Sequence, residues 1–177
     1  MSRLGKYEAK DFISQTQLQD RINELGQQIT KDYANEELVM LGVLKGSFIF
    51  LADLARAIDL PIEIEMIGLS SYLNGVKSSG KVNITTELTC SLKDKHVLIV
   101  EDIFDTGLTM EFLLKHLAKY EAKSLKICCL LKKQIKNQAN IKIDYCGFEI
   151  PDEFVIGYGL DVAEKLRNLP MISILQH

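Results

Sequence analysis

The 177-residue sequence lacks several features that would assign a chain to a class at once. No apolar run approaches the ~20 residues that span a bilayer, and the N-terminal MSRLGKYEAKDF has no apolar h-region. Together these absences predict a cytoplasmic protein with no membrane partner. Formal net charge is only −3, so no overall basic field exists to recruit nucleic acid, and any phosphate chemistry must use locally placed groups. The four cysteines, Cys90, Cys128, Cys129 and Cys146, show no C-x-x-C spacing. Cys128 and Cys129 adjoin inside an apolar run, where they read as small core hydrophobes rather than redox or metal groups. The three histidines are scattered without ligand spacing, and no G-x-x-x-x-G-K-S/T phosphate loop occurs. Internal repeats, low-complexity tracts and an interdomain linker are also absent.

What is present is ordinary globular usage: 47% hydrophobic and 25% charged residues. A chain of this length can bury about 70% of the surface it exposes when unfolded, enough for one self-sufficient core. The expectation is one domain over residues 1–177.

Leu18, Ile22, Leu25 and Ile29 recur at intervals of three and four, one apolar face of a helix across residues 14–32. Ser14 with Gln17 forms a capping-box pattern, and Ile13 with Leu18 a hydrophobic staple. Residues 38–44 read as a buried strand, Gly46 and Ser47 open a helix, and a further strand starts at Ile62, which makes a βαβ unit. Residues 70–81, SSYLNGVKSSGK, are polar and without periodicity, and predict a mobile loop suited to an active-site lid. VNITTEL reads as a strand or ribbon. HVLIV reads as a strand that ends abruptly at Glu101 and Asp102, before a turn and a helix carrying Met110, Leu113, Leu114 and Leu117. SLKICCLL, IDYCGFEI, EFVIGY and MISIL are further β-type runs. Strands alternating with helices along most of the chain predict an α/β fold, a mainly parallel central sheet flanked by helices on both faces.

The segment HVLIVEDIFDTGLTM, residues 96–110, carries the chemistry. The carboxyl end of a buried strand is where open α/β sheets bind ligands. There the turn Asp105-Thr106-Gly107-Leu108-Thr109 enters a helix, so backbone N–H groups and two hydroxyls converge as a phosphate cradle. Two adjacent acids are by themselves an ordinary solvated strand end, and Asp105 an ordinary turn former. Acids beside a phosphate cradle make chemical sense together when the ligand is a sugar phosphate, whose ribose hydroxyls need acceptors and whose Mg²⁺ needs oxygen ligands.

The arrangement of apolar strand, Glu101-Asp102, two apolar residues, Asp-Thr-Gly-x-Thr and helix resembles the phosphoribosyl pyrophosphate (PRPP) motif of type I phosphoribosyltransferases. The resemblance runs from about Glu37 to the C-terminus and is closest to the hypoxanthine-guanine branch. It implies a small hood built from the N-terminal segment and residues 150–177. It also implies that Glu101, Asp102, Thr106, Gly107, Leu108 and Thr109 bind PRPP, and that Asp105 is the catalytic base taking the proton from purine N7. Leu44-Lys45-Gly46-Ser47 is similar to the family's pyrophosphate loop, with a cis peptide before Lys45, and Arg167 would also meet pyrophosphate. Ser71 and Tyr72 resemble the start of the closing lid. Leu130-Leu131-Lys132-Lys133 resembles the strand end whose lysine, here Lys133, reads the 6-oxo group.

GFEIPDEFVIGYGLD, residues 147–161, is similar to the purine-binding segment. Phe154 would stack on the base, Val155 would bond it through its backbone, and Asp161 would border it. Glu101 and Asp102 would be Mg²⁺ ligands, and Asp161 would hold a second metal. The implied reaction joins a 6-oxopurine to the ribose of PRPP in purine salvage, giving IMP from hypoxanthine and GMP from guanine, in a homodimer or homotetramer. Val162 and Leu166 stand where the family usually has aromatics, and Leu108 where some members have lysine. Xanthine preference and a PRPP-sensing regulator of the same fold are the alternative readings. Lys133 argues against adenine, because an ammonium donates to an oxo group but offers nothing to an exocyclic amine.

Overall fold

A computed structural model describes residues 7–74, 77–136 and 138–176, with the backbone alone across 70–82. Ser14 accepts from the Gln17 N–H and the Gln17 side chain accepts from the Ser14 N–H, so the capping box forms as read, and α1 runs Gln15–Asp32. It follows β1 (Ala9–Ile13) and buries Leu18, Ile22, Leu25 and Ile29. β2 (Leu38–Leu44) is followed by α2 (Phe48–Ala57) and β3 (Ile62–Asn74). Ser47 stands before α2 without capping it, because its hydroxyl donates back to the Val43 carbonyl at 2.6 Å.

β4 (Lys77–Thr86), β5 (His96–Phe104), α3 (Leu108–Leu117), β6 (Ser124–Lys133) and β7 (Tyr145–Ile150) complete the main layer. Its strand order is β4-β3-β2-β5-β6-β7, parallel throughout except for the antiparallel β3–β4 pair. From β2 the chain passes through α2 to one side of the sheet, and from β5 through α3 to the other. Right-handed crossovers in opposite directions put their helices on opposite faces and open a crevice between β2 and β5. Packing agrees: Met40, Leu98, Val100, Cys128 and Leu130 pack with α1 and α2, while Val39, Leu41, Ile99, Ile127 and Cys129 pack with α3. The cysteines are free, and Cys128 and Cys129 are buried in these two layers as core side chains.

A second sheet pairs β1, β9 (Ile172–Leu175) and β8 (Val155–Ile156) in that order, antiparallel, and joins the two chain ends. Among the described residues no helix is long and apolar enough to cross a membrane.

Two expectations are corrected. β5 continues through Glu101 and Asp102 to Phe104, because Glu101, Ile103 and Phe104 still pair with Cys129, Leu131 and Lys132 of β6. Residues 70–74 and 77–81 form a ribbon rather than an irregular loop: Ser70 pairs with Asn83, Ser71 with Val82 and Asn74 with Lys77, and residues 75–76 lie outside the described residues. The side chains of Ser71 and Tyr72 lie outside the described residues. The alternation holds along most of the chain, and among the described residues β6, β7, β8 and β9 follow one another without a helix.

Candidate active site

Four neighbouring strands, β2, β5, β6 and β7, deliver their carboxyl ends to one edge of the sheet. Lys45 and Gly46 follow β2, Glu101 to Asp105 close β5, Lys133 ends β6, and Asp152 to Val155 follow β7. The Leu44–Lys45 peptide is cis, as the resemblance implied. Gly46 backs onto Asp102, which ties the β2 loop to the acidic end of β5.

After β5 the chain turns at Gly107, whose φ of 84° is the left-handed conformation that glycine adopts without a Cβ penalty. Gly107 caps α3, and a cavity of about 210 Å³ at that helix start is lined by Glu101, Ile103, Asp105, Thr106, Gly107 and Thr109. The positive end of the helix dipole favours an anion there. Leu108 is half exposed at the rim.

A second cavity of about 320 Å³ shares Ile103 and Asp105 with the first and adds Asp102, Lys133, Phe154, Val155 and Asp161. Phe154 is 49% exposed, unusual for a large apolar ring and suited to stacking on a flat ligand. The Lys133 ammonium lies 2.9 Å from Asp152 and 3.5 Å from Asp105. Burial opposes its charge, but the Asp152 hydrogen bond and the Asp105 carboxylate outweigh burial and hold its pKa above the usual lysine value.

Glu101 is buried with one carboxylate oxygen lacking a partner, beside partly exposed Asp102. Burial first, and the adjacent acid second, push the Glu101 carboxyl well above the usual range, and burial also raises Asp102.

Arg167 donates to the Gly159 carbonyl at 2.8 Å and lies 2.8 Å from Asp161. Lys45 is 2.9 Å from Glu164, which also lies 3.4 Å from Arg167. Thus Lys45, Arg167 and Asp161 meet at one margin of the site, while Thr106, Gly107 and Thr109 meet at the other. Among the described residues no three His, Cys, Asp or Glu side chains group as a metal site; Glu101 and Asp102 adjoin on β5, and Asp161 stands with Arg167. Asp161 is instead turned towards Arg167 and the Glu164 N–H. Val162 and Leu166 pack within the hood beside Ile156 and Leu169.

Sequence reading assigned no role to Asp152, Glu164 or Gln138, all of which touch site residues. Asp152 stands inside the segment already singled out, two residues before Phe154. Gln138 lies in a stretch without pattern.

The phosphoribosyl transferase domain model matches residues 14–163. The chain belongs to the phosphoribosyltransferase family. It is 47% identical over 173 residues to the hypoxanthine phosphoribosyltransferase of Haemophilus influenzae, covering 96% of this chain and 97% of that one. It is 44% identical to the hypoxanthine-guanine phosphoribosyltransferase of Bacillus subtilis, covering 94% and 93%. A solved Staphylococcus aureus hypoxanthine phosphoribosyltransferase superposes with a TM-score of 0.90 at 41% identity, covering 97% and 93%. The Trypanosoma cruzi hypoxanthine phosphoribosyltransferase in complex with its product IMP superposes with a TM-score of 0.86 at 38% identity, covering 96% and 95%.

Proposed function

We propose that the protein transfers the 5-phosphoribosyl group of PRPP to N9 of hypoxanthine, and of guanine, yielding IMP or GMP and pyrophosphate in purine salvage. The observation that carries this reading is the cavity where Asp105, Lys133, Phe154 and Val155 meet directly beside the phosphate cradle. Phe154 stacks on the purine, Val155 meets its edge through the backbone, and the Lys133 ammonium donates to the 6-oxo group. The 5-phosphate lies in the Thr106–Thr109 turn, with Glu101 and Asp102 on the ribose side. Asp105 accepts the N7 proton as N9 bonds to C1 and the C1–pyrophosphate bond breaks. Lys45, Gly46 and Arg167 receive the leaving pyrophosphate.

The unpartnered Glu101 oxygen and the carboxylate of Asp102 are hard oxygen donors that fit Mg²⁺, which takes one or two carboxylates and completes its shell with water and substrate oxygens. Mg²⁺ would supply charge neutralisation of the pyrophosphate, with Asp161 as a further oxygen close to Arg167.

The ribbon at 70–81, with Ser71 and Tyr72, would act as the lid that excludes water from the oxocarbenium-like centre. The sheet of β1, β8 and β9 would be the hood over the purine. We place the whole of residues 1–177 in one phosphoribosyltransferase domain. Phe48, Ile64 and Met66 are apolar and 43%, 51% and 40% exposed. Ile64 lies in register with Met40, on the sheet face that carries α2, so this patch suits a homodimer or homotetramer. A cytoplasmic location follows from the phosphorylated substrate and product, which do not cross bilayers unaided.

The test is nucleotide formation from PRPP and Mg²⁺ with hypoxanthine, guanine, xanthine and adenine offered separately. Product is expected with hypoxanthine and guanine and none with adenine. Faster turnover of xanthine would reassign the base, and PRPP binding without any product would make the protein a regulator.

A further inference from the structure

Gln138 lies in the link between β6 and β7 and is itself assigned no ligand contact above. Its side-chain Nε2 stands 2.6 Å from the Asp105 carbonyl oxygen, 3.0 Å from the Lys133 carbonyl oxygen and 3.4 Å from the Phe104 carbonyl oxygen. Three carbonyl acceptors around one atom fix the amide's orientation, because an oxygen in that position would meet three lone-pair bearers and no donor. The neighbouring Ala139 N–H donates to the Thr106 carbonyl at 2.9 Å, so two consecutive residues brace the turn from behind.

From this geometry we infer that Gln138 is a positioning residue for the transfer step. It ties the backbone bearing the proton acceptor, Asp105, to the backbone bearing the purine reader, Lys133. β5 and β6 pair only as far as Phe104 and Lys132; Lys133 still pairs with Ile150 of β7, but beyond Phe104 no ladder joins the Asp105 backbone to that of Lys133. One carboxamide takes over where the ladder stops. The purine has to present N7 to Asp105 and its oxo group to Lys133 at the same time, so the spacing of these two side chains sets how well a rigid bicyclic base is aligned for attack. Alignment errors of an ångström at a reacting centre cost one to two orders of magnitude in rate. The 5-phosphate end of the cradle keeps its own brace through Ala139, so loss of the Gln138 amide should act on the purine step and spare PRPP binding. The inference rests on the roles given above to Asp105 and Lys133.

Four variants test it under steady-state conditions with hypoxanthine and PRPP: Gln138→Ala, Gln138→Glu, Gln138→Lys and Asp105→Asn. Alanine removes the donor, and glutamate keeps the shape but turns carboxylate oxygens towards three carbonyls. Both should lower kcat/KM for hypoxanthine by about tenfold, with KM for PRPP held within about twofold. Melting temperature should stay within about 2 °C of wild type, the scale of a sub-kcal/mol change at this size. Lysine, which offers three donors and no acceptor, should restore activity to within about threefold. Wild-type turnover in both the alanine and glutamate variants, beside an impaired Asp105→Asn, would overturn the role of Gln138 alone. A parallel rise in KM for PRPP or a collapse in melting temperature would reduce Gln138 to a structural prop and also overturn it. Full activity in Asp105→Asn would remove the site assignment on which the inference stands.

Discussion

Gly46 lies so close to Asp102 that a β-carbon added at Gly46 would sit 1.7 Å from Asp102 Oδ2. The β2 loop and the acidic end of β5 therefore share a space that only a residue without a side chain leaves open. Gly46→Ala has to move either the loop or the carboxylate, and both belong to the site. We expect kcat/KM for PRPP to fall by at least about tenfold, with the far-UV circular dichroism of the wild type. An alanine variant with unchanged kinetics would mean that the loop and Asp102 are not held together during turnover.

Asp105 is half exposed and faces both cavities, with its carboxylate 3.5 Å from Lys133. As general base it should contribute about 10²–10⁴-fold. Asp105→Asn keeps the shape and one acceptor oxygen but cannot take a proton. Its kcat should drop into that range, whereas a loss below about tenfold would leave Asp105 the lesser task of orienting the base.

Lys133→Met retains the apolar stem and deletes the ammonium. A hydrogen bond to a charged group contributes about 1.5–3 kcal/mol, which corresponds to roughly 10–150-fold in affinity. KM for hypoxanthine and guanine should rise by about that factor while KM for PRPP moves little. Adenine should remain a non-substrate, since nothing in the variant accepts from its amino group. The loss of positive charge also leaves Asp105 and Asp152 facing each other unpaired, so kcat is expected to fall as well.

Much of this was legible in the sequence because it rests on local rules. The capping box at Ser14 and Gln17, the helical period of Leu18 to Ile29, and the apolar runs of β2, β5 and β6 each need only near neighbours to be read. The true end of β5 was not legible, because pairing of Glu101 with Cys129 depends on a strand more than twenty residues away. The 70–81 ribbon escaped for a related reason. β3 pairs with β2 only as far as Gly68, so from Leu69 onward its one partner is β4 and the segment has left the body of the sheet. Period-2 alternation arises where one strand face packs on the body of a sheet, and pairing with β4 alone is a long-range relation that no local spacing records. Gln138 carried no signal at all, since a side chain donating to the backbone carbonyls of a turn 33 residues away and of a strand end five residues away leaves no spacing in the sequence.

Lys45 and Arg167, the two cations given to pyrophosphate, both contact Glu164. The hydrogen bond from Lys45 first, then the charges of Lys45 and Arg167, lower the Glu164 carboxyl below the usual range, so it is a carboxylate at neutral pH. An incoming pyrophosphate group has to displace it. Exposed ion pairs are weak, and Glu164→Gln should therefore lower KM for PRPP by only about two- to fivefold, with kcat unchanged. A higher KM in that variant would mean that Glu164 arranges the two cations rather than competing for them.

Glu65 on β3 accepts from the Met66 N–H at 3.0 Å, the Thr89 N–H at 2.9 Å, the Thr89 hydroxyl at 2.8 Å and the Cys90 N–H at 2.9 Å. Burial opposes the charge, but these donors outweigh it and bring the carboxyl down to about 2 from 4.5. The folded value is thus depressed relative to the unfolded one. The stabilisation is fully present above about pH 4.5 and is lost as pH falls towards about 2, because the unfolded chain binds the proton first. Glu65→Gln keeps an acceptor oxygen but not the charge. Discounted for partial exposure, the loss at neutral pH should be about 1 kcal/mol, read as a melting temperature lower by about 2–4 °C. The gap between wild type and variant should narrow steadily below pH 4.5. Melting curves that stay parallel down to pH 3, a value about midway through that window, would show that the carboxylate does not hold the 87–91 turn in place.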